Sequence, residues 1–343
     1  MEAQGTDDSA LYSAAEAAGR SRNFRKNYYR LVGVQTVEVK VSLESAFAGD
    51  VLDLERLTKL CLWVRIPHLY RPLVWKVLLG VLPTSKDVWS YVEDQRSQQF
   101  QDLKRAAQFI YPPTHRNKKS LKDYDNVDLT ADLMVRMLLI QLNRLTPHRV
   151  VQYPSPKFQN LTAIASCFLD ICDSVTEADA FWLFKFFVRR ELSMVEFLDG
   201  SEENAMHQKT RITDSVTHLW KLLQEQDADL VERLEDLDVD LEVCCERWFA
   251  NYFAEILPPE SLERIWDILF GGRPAILNYV ALCLILAVQR QIQAARGPRD
   301  VQTLFGNIGS QVNHNAVVSS AIDLWEKPLI ASMGDDARKA LGY

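Results

Sequence analysis

The sequence predicts an all-α protein, and three observations support this prediction. Apolar residues recur at spacings of three and four, as in Leu161, Ile164, Ala165 and Phe168, which places them on one face of a helix. No stretch keeps the alternation of apolar and polar residues that is typical of a half-buried strand. Proline and glycine fall at the ends of the periodic segments, where they terminate helices. With 343 residues, the chain is long enough to bury a large core, and we predict a dozen or more helices.

Two helices are predicted in the first quarter of the chain. The apolar stripe of the first consists of Leu54, Leu57, Cys61 and Val64. The second begins at Pro72, because a proline at the first helical position lacks an N–H that would be unpaired there anyway. It ends at Gly80, which suits the left-handed residue after a helix, and Pro83 follows.

Later helix ends are predicted from capping residues and from further prolines and glycines. Asn160 is the expected N-cap of the helix that carries the stripe described above. Thr176 opens a capping box before a run of aromatic residues. A helix that starts at Pro259 should stop at Gly271-Gly272, and a last helix should cover about 311–326.

Polar stretches divide the chain. Residues 112–128 and 199–210 are polar and are predicted to be linkers. From the breaks in the pattern we predict four parts: a disordered tail (1–20), an N-terminal lobe (21–173), a C-terminal lobe (174–298), and a C-terminal helix and tail that pack on the second lobe (299–343).

Composition excludes several classes of function. The formal net charge of -7 argues against a nucleic-acid partner, which is held by phosphate neutralisation. The six cysteines contain no Cys-x-x-Cys pair, so we predict no metal site, no cofactor and no disulfide framework. The longest apolar run, Ile276–Val288, is shorter than the roughly 18–20 residues that span a bilayer. We therefore predict a core helix there and no transmembrane segment, and the N-terminus shows no secretory signal.

Four short motifs follow one another along the chain. They are Arg71-x-x-x-Trp75, the segment Asp179–Phe184 around Trp182, the pair Trp248-Phe249, and Arg264-x-Trp266-Asp267. In this order and spacing they resemble the TBC domain family over roughly residues 55–290. The resemblance implies a two-lobed helical TBC (Rab-GAP) fold, whose active members stimulate GTP hydrolysis by Rab-type GTPases.

We interpret the motif residues themselves as structural. A tryptophan buries a large apolar area and dominates local packing. Arg264 and Asp267 are three residues apart on a helix, so they could pair with each other or hold neighbouring backbone. Arg71, at a helix start, could form hydrogen bonds to another helix.

The resemblance also implies two catalytic side chains. The family carries an arginine in an Ile-x-x-Asp-x-x-Arg segment and a glutamine in a Tyr-x-Gln-Gly segment, and such an arginine is worth a factor of about 10³–10⁵ in rate. The nearest match to the first segment runs from Ile110 to Arg116, with Pro113 in place of the aspartate. The position expected for the glutamine holds Leu161, and the nearest glutamine is Gln159. We therefore predict no catalytic residue, and Arg116 and Gln159 are vestigial candidates only.

Three further segments narrow the resemblance to one branch of the family. Ser21–Val34, Leu69–Pro83 and Ala321–Trp325, together with the missing side chains, resemble the small third subunit of the tuberous sclerosis complex. This implies a non-catalytic cytoplasmic protein that binds the hamartin coiled coil at the lysosome surface. Tuberin then activates GTP hydrolysis by Rheb, which restrains mTOR signalling. The chain departs from that branch in a longer N-terminal extension and a longer stretch between 113 and 130.

Two other functions stay open. The chain could be an active Rab GTPase-activating protein with Arg116 as a degenerate arginine finger, and a Rab or Rheb GTPase would then be its partner. It could also be a helical scaffold unrelated to GTPases, which the ordered motifs argue against. The basic, aromatic segment Arg20–Arg30 is either a first helix packed on the N-terminal lobe or a segment that contacts a membrane surface or a nucleic acid.

Overall fold

The computed structural model describes residues 39–110, 128–142, 156–171, 176–192 and 202–331. Within these ranges the protein consists of helices and contains no strand, which confirms the predicted all-α class. The first seven helices are α1 (Val39–Ala46), α2 (Leu54–Trp63), α3 (Arg71–Leu78), α4 (Trp89–Ile110), α5 (Ala131–Gln141), α6 (Pro156–Ile171) and α7 (Glu177–Glu191). The next eight are α8 (Glu202–Gln226), α9 (Ala228–Asp236), α10 (Leu241–Ala250), α11 (Pro259–Phe270), α12 (Ile276–Ala287), α13 (Gln289–Ala294), α14 (Pro298–Gly306) and α15 (His314–Ala331).

Several helix ends lie where the sequence predicts them. Pro72 occupies the first turn of α3, and Gly80 has a φ of 80° just beyond its end. Helix α11 begins at Pro259, and Gly272 after it also has a φ of 80°. The Thr176 side chain accepts a hydrogen bond from the Asp179 backbone N–H at 3.2 Å, so it caps α7.

Three predicted boundaries were wrong. Helix α6 starts at Pro156, so Asn160 lies inside the helix, because a proline at the first helical position is itself a start signal. Helix α8 starts at Glu202, so most of the predicted linker 199–210 is helical. Acidic residues at its start favour a helix N-terminus. The last helix runs from His314 to Ala331 rather than over 311–326.

The core is centred on α11, which packs against α2, α3, α6, α12 and α15. Its residues Trp266 and Phe270 join an aromatic cluster with Trp75, Phe168 and Phe187, with ring centroids 4.9–6.3 Å apart. Because α11 belongs to the predicted C-terminal lobe while α2, α3 and α6 belong to the predicted N-terminal lobe, a shared core joins the two ranges. The boundaries between the four predicted parts stay a prediction.

The long apolar run forms α12, and nine of its residues are buried. Its contacts with α8, α11 and α15 account for its apolar character on all sides. Among the described residues, no helix combines the length and the apolar character needed to cross a membrane. The predicted N-terminal tail, most of the predicted linker 112–128 and Arg116 lie outside the described residues.

Candidate functional site

The first and last motifs meet in a buried ion-pair network between α3 and α11. The Arg71 side chain donates from Nε to Asp267 Oδ1 at 3.2 Å and from a terminal nitrogen to Glu263 Oε2 at 2.6 Å. Trp75 donates from its indole Nε1 to the same Asp267 oxygen at 2.9 Å. Arg71 also donates to the backbone carbonyl of Ile66. Arg71 and Asp267 are 1% and 0% exposed, so this pair is closed to solvent and offers no charge to a ligand, whereas Glu263 lies at the edge of the network and also pairs with the exposed Arg65 at 3.5 Å.

In this network, burial has the largest effect on the pKa of Asp267. Loss of solvent raises the pKa of Asp267 to about 6, and the neighbouring charges of Arg71 and Arg264 act in the opposite direction. The hydrogen bonds from Arg71 and Trp75 also favour the carboxylate form. The Asp267 carboxyl group is fully enclosed, and burial raises its pKa. Its role is structural, since no substrate can reach it.

Arg264 holds the C-terminal end of α2. Its guanidinium donates to the backbone carbonyls of Cys61, Leu62 and Val64 at 2.7, 3.0 and 3.1 Å. The last carbonyls of a helix have no partner within the helix, and the helix dipole is negative at this end. Arg264 therefore satisfies three acceptors with one cation, across more than 200 residues of sequence.

The remaining motif tryptophans are packing residues. Trp266 donates to the backbone carbonyl of Tyr252 at 3.2 Å. Trp182 donates to the backbone carbonyl of Arg96 at 3.0 Å, which ties α7 to α4. Trp248 stacks on Phe305 of α14 with ring centroids 5.0 Å apart. All three indole rings are buried, so each motif marks a contact between helices.

A groove of about 540 Å³ lies between α5, α6, α10 and the start of α11. Its charged lining residues are Asp132, Asp170, Arg247 and Glu255, and Gln159 lies at the same groove. Gln159 is exposed, whereas Leu161, two residues further along α6, is 0% exposed. The structure therefore brings Gln159, one of the two vestigial candidates, to an open groove. Arg116 lies outside the described residues.

Arg247 was missed by the sequence reasoning, although it is the arginine that lines this groove. Its side chain is bound on two sides by Glu255, with a terminal nitrogen donating to Oε1 at 2.8 Å and Nε in contact with Oε2. This hydrogen bond is the main cause that raises the pKa of Arg247. The chain reverses between the two residues at Tyr252 and Phe253, whose φ angles are 54° and 65°. No glycine marks that reversal, so the sequence carries no signal for the pair.

Cysteine and metal chemistry have no site in the described part of the chain. Its histidines, cysteines and carboxylates form no group that could hold a metal ion. Cys61, Cys167, Cys245 and Cys283 are free and buried, and Cys244 is free and partly buried. Burial raises the pKa of Cys167 and Cys283 to about 12, so neither thiol is a reactive thiolate at neutral pH.

The helical core, in which the first and last motifs are in contact, is typical of one class of protein. The model of the Rab-GTPase-TBC domain matches residues 68–293, and the chain belongs to that family. Among solved structures, the Chlamydomonas flagellar RabGAP TBC domain is similar to 89% of this chain and 95% of its own, with a TM-score of 0.54 and 16% identity. The Ypt/Rab-GAP domain of Gyp1p is similar with a TM-score of 0.53 and 14% identity, over 85% of this chain and 98% of its own. These two likenesses show the fold alone.

Sequence similarity to some relatives extends over nearly the whole chain. TBC1 domain family member 7 of Danio rerio is 30% identical over 313 residues, which covers 89% of this chain and 95% of the relative. TBC1 domain family member 7 of Homo sapiens is 30% identical over 311 residues with the same coverage. TBC1 domain family member 22B of Homo sapiens is 24% identical and covers 68% of this chain and 50% of its own length. The match to the two member 7 proteins thus includes most of the residues outside the matched domain.

Proposed function

We propose that the protein is a non-catalytic TBC-domain subunit of a tuberous sclerosis complex. In this function it binds the hamartin coiled coil, supports the activation of Rheb GTP hydrolysis by tuberin, and so restrains mTOR signalling. It would act from the cytoplasm at the lysosome surface, to which its complex recruits it. The observation that carries the proposal is the complete burial of Leu161, the residue at the position where we expect the family's glutamine from the sequence. The likeness to TBC1 domain family member 7 over 89% of the chain supports the same function.

The chemistry of the groove also supports a non-catalytic role. An activator of GTP hydrolysis must present a cation to the negative charge that develops on the transferring phosphate. The groove beside Gln159 is lined by three carboxylates, Asp132, Asp170 and Glu255, and by one cation, Arg247. Arg247 is already neutralised by Glu255. Asp132 is in turn paired with Arg136 at 2.7 Å. Because the one cation that lines the described part of this groove is held by a carboxylate, it is not free to stabilise the charge developing on a phosphate, so this part of the groove does not suit GTP hydrolysis.

The alternative function is an active Rab GTPase-activating protein with Arg116 as its arginine finger. One observation favours it: Gln159 is exposed and lines an open groove, so its amide is accessible to a partner. The two functions differ in whether the chain alone accelerates GTP hydrolysis. A binding function requires a surface for a partner helix, and it does not require a cation that stabilises the charge on a transferring phosphate.

A hydrolysis assay with purified full-length protein separates the two. We expect no acceleration of GTP hydrolysis on a panel of Rab proteins or on Rheb. We also expect no difference between the unaltered chain and Arg116→Ala, Gln159→Ala or Arg247→Ala. Strong acceleration that Arg116→Ala abolishes would show that the protein is an active GTPase activator.

A pull-down with the C-terminal coiled coil of hamartin tests the positive part of the proposal. We expect binding at micromolar concentration, and the same binding for Arg116→Ala, because the proposed docking function does not require a catalytic arginine. As a control, a coiled coil of the same length and net charge with a scrambled sequence should not bind. Absence of binding to hamartin in this assay would contradict the proposed partner.

A further inference from the structure

Three cations converge on two aromatic rings where α4 packs against α7. The Arg96 guanidinium of α4 lies 4.6 Å from the ring centroid of Trp182 and 4.8 Å from that of Phe186. From α7, Lys185 Nζ lies 4.7 Å from the Trp182 centroid, and the Arg189 guanidinium lies 5.9 Å from that of Phe186. We call Arg96, Lys185 and Arg189 the cation triad. Its members belong to none of the family motifs, and it is separate from the groove at Gln159.

The triad lacks a counter-ion within the described residues. No carboxylate of the described chain lies within salt-bridge distance of any of the three side chains, whereas the neighbouring Arg190 pairs with Glu191 at 3.1 Å. Arg96 also lines a cavity of about 530 Å³ together with Glu93 and Asp179. Both of those carboxylates bind Lys76, at 3.1 and 3.0 Å. Asp94 also lines this cavity and is exposed. No described carboxylate of the cavity forms an ion pair with Arg96, and Glu93 and Asp179 are held by Lys76.

The three cations of the triad repel one another, and without a bound anion this repulsion destabilises the folded state. Lys185 and Arg189 are four residues apart on one helix face, where two cations repel each other. Burial, followed by the charges of Arg96 and Arg189, lowers the pKa of Lys185 to about 8. Burial and the charge of Arg189 also lower the pKa of Arg96. The ring faces of Trp182 and Phe186 offset part of this cost through cation–π attraction, and the remainder favours binding of a negative group.

We propose that the cation triad is a docking site for an acidic segment of a partner protein, whose carboxylates pair with Arg96, Lys185 and Arg189. Two features favour spread carboxylates over a compact phosphate. Lys185 and Arg189 lie in the C-terminal half of α7, where the negative end of the helix dipole disfavours a concentrated dianion. Its cations come from two helices and successive turns, a spacing that matches carboxylates along an acidic helix. Trp182 and Phe186, beneath the cations, provide an apolar floor.

The proposal is independent of which complex contains the protein, and it can be tested on the full chain alone. Because the chain carries a net charge of -7, a polyanion binds it only if a local cationic site overcomes the overall repulsion. We expect fluorescently labelled poly-L-glutamate to bind in a salt-sensitive manner, measured by anisotropy. The double variant Lys185→Gln/Arg189→Gln should weaken this binding about tenfold, because two of three charge-assisted pairs are lost.

The matched control removes the same total charge elsewhere. Arg290→Gln/Arg299→Gln changes two exposed arginines on α13 and α14, and it should leave the affinity unchanged. The charge-conserving variant Lys185→Arg/Arg189→Lys should retain binding. The variant Lys185→Gln/Arg189→Gln should unfold at the same temperature as the unaltered chain or higher, since removing triad cations relieves repulsion, and the control should unfold at the temperature of the unaltered chain.

Three results would overturn the proposal. One is equal weakening by the two glutamine variants, which would mean general charge attraction. The second is absence of poly-L-glutamate binding at low salt. The third is displacement of the labelled polymer by millimolar inorganic phosphate but not by free glutamate, which would identify a phosphate site instead.

Discussion

Replacing Arg264 by methionine should destabilise the protein by removing the cap on α2. Methionine keeps much of the aliphatic stem and volume of the arginine side chain but has no hydrogen-bond donor. The carbonyls of Cys61, Leu62 and Val64, which now receive hydrogen bonds at 2.7–3.1 Å, would lose their partner. Since Arg264 is only 9% exposed, water has little access to replace it.

The magnitude follows from the three acceptors. A hydrogen bond from a charged donor contributes about 1.5–3 kcal/mol, and an acceptor left buried without a partner costs about 1–3 kcal/mol. The favourable position of a cation at a helix C-terminus adds about 0.3–1 kcal/mol. Because the three bonds share one guanidinium, their loss is less than the sum. We expect the free energy of unfolding to fall by about 3–5 kcal/mol.

Urea unfolding at neutral pH, followed by circular dichroism, measures this change. Arg264→Lys should lose an intermediate amount, because one ammonium cannot reach three carbonyls in the geometry of the guanidinium fork. Arg273→Met, at an exposed position three residues beyond the end of α11, is the control and should be neutral. A loss below about 1 kcal/mol for Arg264→Met would refute the view that this residue caps α2.

Three other changes should give measurable effects. The pKa of Asp267 is about 6 in the folded protein against 3.8 for an unperturbed aspartate, so its protonation stabilises the folded state. This contribution is complete below the unfolded pKa and is lost as the pH rises through about 6. Asp267→Asn should therefore flatten the pH dependence of urea unfolding between pH 4 and 7 by up to about 3 kcal/mol, and an unchanged dependence would contradict the burial argument. At Gly309, an added Cβ would lie 2.8 Å from the backbone oxygen of Ile256, so Gly309→Ala should cost about 1–3 kcal/mol in thermal unfolding. Gly306→Ala, with open space around it, is the matched control, and equal effects of the two would refute the steric reasoning. Lastly, the ¹³C-dimethyl resonance of Lys185 should titrate near pH 8 because of burial and the charges of Arg96 and Arg189. The pKa of Lys185 should rise in Arg189→Gln, and an unchanged pKa in that variant would show that these two cations do not interact.

Local signals in the sequence were sufficient for the class of fold and for many helix ends. Gly80, Pro259 and Gly272 act through their own backbone preferences, so their effects can be read without knowledge of the fold. Asn160 failed as a start signal because Pro156, four residues earlier, offered a second one. Choosing between two valid starts depends on the packing of the whole helix, which a local pattern does not contain.

The partners of the motif residues could not be read from the sequence. The pattern placed Arg71 at a helix start, but its pairing with Asp267 depends on a contact across 196 residues. The ion pair between Arg247 and Glu255 depends on the left-handed backbone of Tyr252 and Phe253, neither of which is a glycine. In the cation triad, the spacing of Lys185 and Arg189 is visible in the sequence, whereas the approach of Arg96 follows from the packing of α4 on α7.

The long sequence separation of the contacts made by α11 has a consequence for synthesis on the ribosome. The carbonyls at the end of α2 and the guanidinium of Arg71 receive their partners only when residues 263–267 leave the ribosome, about 190–200 residues later. At roughly 5–20 residues per second, the early helices wait about 10–40 s without those partners. During that interval their apolar faces stay available to chaperones. A nascent chain arrested before Pro259 should therefore be sensitive to protease throughout, and protection should arise in one step once α11 has emerged.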